Sequence, residues 1–206
     1  MIVIDVDGPS GTGKSTTLVE FEDKEIVKVA DYKISIGGFS IQYLSSWFMI
    51  KNTPFLISAF FRVGYRRPIK RLGRCFGYIY ILEKERKKDS IVLVEQEAII
   101  CLWKRAFLSN KRLARKIHER LFKNYDYAVI RFICDPNERE KRLRERSGRN
   151  DNLSEYVKES DKEQEMLYKR LRKHLLFYSE IDSGRSVGEK LKDLRKNVDK
   201  IKSLRT

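Results

Sequence analysis

A short apolar run, Ile2-Val3-Ile4-Asp5-Val6-Asp7, leads directly into Gly8-Pro9-Ser10-Gly11-Thr12-Gly13-Lys14-Ser15. This order constrains the fold more than any other feature of the chain. The run reads as a buried strand, the glycines as a tight turn, and Lys14 to about Glu22 as a helix. The octapeptide matches G-x-x-x-x-G-K-[ST], the phosphate-binding P-loop, and stands between a strand and a helix as that motif's mechanism requires. Its glycines let successive backbone N–H groups turn inward around a phosphate without Cβ clashes. The helix start behind them adds about half a positive charge. The candidate nucleotide-binding residues are therefore Gly8, Ser10, Gly11, Thr12, Gly13, Lys14, Ser15 and Thr16. Lys14 would reach the β- and γ-phosphates and the Ser15 hydroxyl would ligate Mg²⁺, so ATP and Mg²⁺ are the expected cofactors.

The rest of the chain alternates strands and helices. Ile26 to Ala30 reads as a second strand, closed by Asp31. Residues 39–88 read as mostly helical, broken near Lys51–Pro54 and at Arg67-Pro68. Ile91 to Val94 is a third, wholly apolar strand of the kind buried between helix layers, followed by a helical stretch over 97–123. Tyr127 to Cys134 is the fourth strand, and Asp135-Pro136-Asn137 starts the next helix. A long amphipathic helix covers Leu153 to His174, a last strand Leu175 to Ile181, and a final helix Ser186 to Leu204. This pattern predicts an α/β fold of three layers around a five-stranded parallel sheet, in one domain over 1–206.

Composition narrows the function classes. With 206 residues, one core can bury roughly 70% of the unfolded surface without disulfides or metals as staples. Cys75, Cys101 and Cys134 are odd in number and spaced too widely for a CxxC site, and there are only two histidines. A structural zinc site is not expected, and reduced thiols point to a cytoplasmic protein. The N-terminus opens into a strand without the basic and cleavable apolar segments of a signal peptide. From Ile34 to Phe61 the only charge is Lys51, but Gly37-Gly38, Gln42, Asn52 and Pro54 interrupt the stretch, so no transmembrane span is expected. The net charge of +15 is uneven: residues 1–100 carry +3 and residues 101–206 carry +12. Within 104–123 eight bases face one acid, Glu119, a stretch able to meet a polyanion. Its only aromatics, Phe107 and Phe122, suit a core-facing stripe better than base stacking, so nucleic-acid binding is not favoured.

Several landmarks resemble small P-loop kinases of the thymidylate kinase and deoxynucleoside kinase group, in order and from end to end. The first strand and P-loop correspond to Ile2–Thr16. The third strand, ending in an acid, resembles Ile91-Val-Leu-Val-Glu95-Gln96. The family's Arg-rich helix-to-lid segment resembles Arg142-Leu143-Arg144-Glu145-Arg146-Ser147-Gly148-Arg149, with one extra residue before the final Arg. Its last strand and purine-facing loop resemble Ser179 to Ser186. Two positions depart from the group. Gln96 replaces the usual Arg, and the second strand ends in Ala30-Asp31-Tyr32-Lys33 rather than in a Glu-Pro pair.

The resemblance implies a nucleoside triphosphate donor, a small-molecule acceptor, an acceptor-binding helical insertion over 34–88 and a lid over 139–152. Arg142, Arg146 and Arg149 would close over the triphosphate, where a planar guanidinium binds phosphate oxygens bidentately. Arg185 would face the nucleotide from the last strand's loop. Glu95 would hold magnesium or contact the acceptor, and Asp31 is the candidate base for an acceptor hydroxyl. The expected activity is phosphoryl transfer to a nucleotide or nucleoside. A kinase of a sugar or lipid precursor, a polynucleotide 5′-hydroxyl kinase and a nucleotide-dependent switch remain as alternatives, and a homodimer stays open.

Overall fold

The computed structural model describes residues 1–28, 47–64, 68–95, 98–147 and 153–205. Its five strands are β1 (Ile2–Asp7), β2 (Ile26–Lys28), β3 (Ile91–Glu95), β4 (Asp126–Ile133) and β5 (Phe177–Asp182). They form one parallel sheet in the order β2-β3-β1-β4-β5, so the strand leading into the P-loop is the central one. Ile26 lies opposite Ile91 in the β2–β3 pair, and Ala128 to Ile133 lie opposite Phe177 to Asp182 in the β4–β5 pair. The expected α/β fold with a five-stranded parallel sheet is the one observed. All six residues of β1 are buried. Its two carboxylates are tolerated there because buried acids with hydrogen-bond donors avoid the full desolvation cost. Tyr127 donates to Asp5 Oδ2 at 2.8 Å, and the Tyr168 hydroxyl donates to Asp7.

The chain divides into two compact units, residues 1–3 with 25–126 and residues 4–24 with 127–206. The first holds β2, β3 and the helices α2 (Trp47–Arg62), α3 (Pro68–Arg86), α4 (Ala98–Ser109) and α5 (Lys111–Ile117). The break expected near Lys51–Pro54 is absent, and α2 runs straight through Pro54. An internal proline removes one helical hydrogen bond and costs about 3 kcal/mol. Leu56, Ala59, Phe60 and Val63 follow it at helical spacing and are all buried, which offsets that loss. The stretch expected to be helical over 97–123 is helical, divided at Asn110, whose Oδ1 accepts the Leu113 N–H at 3.0 Å and caps α5. A π-helical turn, His118–Phe122, then brings Phe122 within 5.1 Å of the fully buried Trp103 ring. Among the described residues, no helix is long and apolar enough to cross a membrane.

The second unit holds α1 (Lys14–Glu20), α6 (Pro136–Ser147), α7 (Leu153–Leu171) and α8 (Val187–Ser203), with β4 and β5. Helix α6 packs on α7, and α8 packs on α1 and β5. Asp135 starts α6 by accepting the N–H groups of Asn137 and Glu138. Ser186 and Glu189 form a reciprocal capping box at the start of α8. The buried stripe of α8 is Lys190, Leu194, Val198 and Ile201. One of its four members is a lysine.

Candidate active site

The P-loop turns on three glycines with positive φ, Gly8 at 141°, Gly11 at 88° and Gly13 at 76°. At Gly8 a side chain is excluded twice over. The backbone angle disfavours any L residue, and a Cβ would lie 2.4 Å from the Phe132 carbonyl oxygen of β4. The loop can therefore lie directly against the neighbouring strand. Lys14 is buried, and its ammonium donates to the carbonyls of Gly8 at 2.7 Å and Pro9 at 3.2 Å. Thr12 is buried too and donates to Pro9 O at 2.9 Å, which closes the turn on itself. Ser15 and Thr16 open α1 with their side chains exposed.

Two further cations of the same unit, Arg139 and Lys190, meet this loop, and a third, Arg142, stands near Lys190. Arg139, on the first turns of α6, is fully buried and donates from Nε to Ser10 O at 3.0 Å. Its fork also reaches Val157 O at 3.4 Å and the Asp161 carboxylate on α7. Arg142, one turn further along α6, donates to Ser183 O at 3.2 Å and to Glu138 at 3.0 Å. Lys190 comes from α8. Its Nζ lies 3.2 Å from the point where a Cβ on Gly13 would sit. Burial, then the neighbouring Arg142, hold the Lys190 ammonium below its ordinary lysine pKa, and the Cys134 side chain acts weakly against them. Burial pushes the Cys134 thiol up. It pushes Asp161 up as well, against the pull of Arg139 and Arg131.

Beside the loop lies a cavity of about 690 Å³ whose lining includes Pro9, Arg131, Cys134, Asp161, Tyr168 and Glu180. Arg131 stacks over the Tyr168 ring at 5.0 Å and reaches Glu180 at 3.5 Å. The same Tyr168 holds Asp7, the last residue before the loop. The wall of the cavity and the base of the P-loop are thus one hydrogen-bonded structure.

Of the residues expected from sequence, Gly8, Ser10, Gly11, Thr12, Gly13, Lys14, Ser15 and Thr16 make up the loop and the start of α1, while Arg142 stands on α6 with its guanidinium on Ser183 O. Arg185 sits exposed in the turn after β5 and pairs with Asp193 at 2.8 Å. Glu95 ends β3, partly exposed, in the other unit. Arg146 belongs to the last turn of α6, and its side chain lies outside the described residues, as do Asp31 and Arg149. Among the described residues no cluster of three or more His, Cys, Asp or Glu could hold a metal. Sequence reasoning did not single out Arg139 or Lys190. Both carried a signal: Arg139 shares a helix face with Leu143, and Lys190 precedes Leu194 and Val198 at four-residue intervals.

No protein-family model matches the chain, and no curated protein matches it. Among solved structures the chain is similar to deoxyadenosine kinase from M. mycoides with bound dATP, at 16% identity and a TM-score of 0.49 over 95% of this chain and 98% of that one. It is similar to shikimate kinase from Bacteroides thetaiotaomicron, at 12% identity and a TM-score of 0.45 over 96% and 98%. A gluconokinase from Sinorhizobium meliloti 1021 matches at 13% identity and a TM-score of 0.38 over 97% and 93%.

Proposed function

We propose that the chain is an ATP- and Mg²⁺-dependent phosphotransferase acting on a small molecule, with a nucleotide or nucleoside as the favoured acceptor. The observation that carries this reading is the loop after the central strand, in which three positive-φ glycines surround a buried lysine whose ammonium lies on the loop's own carbonyls. Phosphoryl transfer asks for positioning and charge neutralisation more than for covalent chemistry. Lys14 supplies the first cation, released from the Gly8 and Pro9 carbonyls onto the β- and γ-phosphates. Arg142, Arg146 and Arg149 supply further charge from α6 and the segment after it. The exposed hydroxyl of Ser15 is an oxygen donor of the kind hard cations take, and Glu95 enters as a second donor through the family resemblance alone. When bound, magnesium would neutralise charge on the transferring group. Where the acceptor is a hydroxyl, Asp31 would take its proton; where it is already a phosphate, no base is needed.

The test is a panel of nucleosides, nucleoside monophosphates, sugars and lipid precursors, assayed for ADP release with ATP and Mg²⁺. Lys14→Ala is expected to reduce turnover by two orders of magnitude or more, because it removes charge that acts on the transition state. Unchanged turnover in a variant that circular dichroism shows to be folded would remove the assignment.

A further inference from the structure

A lysine in the buried stripe of a helix is costly, because an ammonium taken out of water needs an anion or acceptors to replace its hydration. Lys190 is only 6% exposed, yet among the described residues no carboxylate and no hydrogen-bond acceptor meets its ammonium. The charged neighbour that acts on it most is another cation, Arg142, whose own carboxylate partner is Glu138. Its place is also specific. The ammonium lies 3.2 Å from the position of a Gly13 Cβ, so a side chain at Gly13 would crowd it. Lys14 in the loop and Arg142, the nearby cation on α6, rest on backbone carbonyls. Lys190 has no such resting place.

We infer that Lys190 is a second lysine of the phosphate site, held by α8 against the P-loop so that its ammonium contacts the phosphates of a bound nucleoside triphosphate. This rests on the nucleotide-binding reading above and deepens it. The unfilled position is what an anion would complete, and a triphosphate offers the dense negative charge that several converging cations demand. The lowered pKa of Lys190 fits the same picture: an arriving phosphate would restore the stability of its charged form.

The experiment uses the full chain, with ATP and inorganic tripolyphosphate as separate probes in calorimetric titrations, and thermal melts of the same samples. Tripolyphosphate carries the phosphates without base or sugar. Wild type is expected to bind both. Lys190→Gln should weaken both by a similar factor, roughly 10- to 100-fold for a lost charge-assisted hydrogen bond. Lys190→Arg, which keeps the charge, should recover much of that loss. Without ligand, the Gln variant should melt no lower than wild type, because among the described residues the Lys190 ammonium makes no hydrogen bond or ion pair that the substitution would remove. A Gln variant that melts below wild type or does not fold, or one that keeps wild-type affinity for tripolyphosphate, overturns the inference and leaves the nucleotide reading intact. A wild-type chain that binds neither probe overturns both.

Discussion

Replacing Arg139 with alanine would remove the side chain that ties the P-loop to α7. The guanidinium is wholly buried and makes hydrogen bonds to Ser10 O at 3.0 Å, Val157 O at 3.4 Å and Ser160 Oγ at 3.4 Å, besides its ion pair with Asp161. Breaking a buried ion pair by deleting one partner costs about 3–5 kcal/mol, since the other charge is left behind. Asp161 keeps 27% of its side chain in solvent, so part of that charge can rehydrate, which favours the lower end. Two carbonyls lose a donor, and a cavity the size of an arginine opens next to Leu143. The expected loss is about 3 kcal/mol, a fall in melting temperature of roughly 6–12 °C for a chain of this size. Chemical denaturation of wild type, Arg139→Ala, Asp161→Ala and the double variant measures it. The double-mutant cycle should return a coupling above about 1 kcal/mol. The Asp161 carboxyl, already above its ordinary range, should titrate higher still in Arg139→Ala, because the cation that lowers it has gone. A loss below 1 kcal/mol with no coupling would refute the idea that this arginine braces the loop.

Gly8→Ala should cost roughly 2–4 kcal/mol and abolish triphosphate binding, because the new Cβ meets the Phe132 carbonyl at 2.4 Å on a backbone with φ of 141°; a denaturation curve superimposable on wild type would contradict this. The Cys134 thiol should alkylate with a pH midpoint above that of an ordinary cysteine, since burial raises its pKa. Arg142→Gln should move that midpoint higher still, because Arg142 favours the thiolate. Iodoacetamide rates measured against pH with Cys101 replaced by serine decide both points, and a midpoint at or below the free-thiol value counts against them.

What could be read from the sequence follows how local each cause is. The P-loop, its strand and its helix were legible because glycine geometry, the apolar run and the lysine all lie within fourteen residues and need no partner to be recognised. The order of strands and helices was legible for the same reason. The continuity of α2 through Pro54 was not, since it depends on what Leu56, Ala59 and Phe60 bury. Nor was the division at Asn110, where one side-chain oxygen outweighs a sequence that reads as helical throughout. Arg139 and Lys190 needed the tertiary structure, because a cation among apolar positions reads as a solvated residue until something packs around it. Asp31 and Arg149 fall outside the described residues, so their roles stay with the sequence.

The loop's dependence on β4 and α8 also has a meaning in time. Ribosomes add about 5–20 residues per second, so the P-loop is made well before its backing carbonyl at Phe132 and the Lys190 beside Gly13. Until those residues follow, the octapeptide is an unbacked glycine-rich stretch, and the buried carboxylates of β1 have yet to meet Tyr127 and Tyr168. A chain cut short before α8 would present the motif without Lys190 beside Gly13. The backing of the loop is therefore complete only once both β4 and α8 have docked.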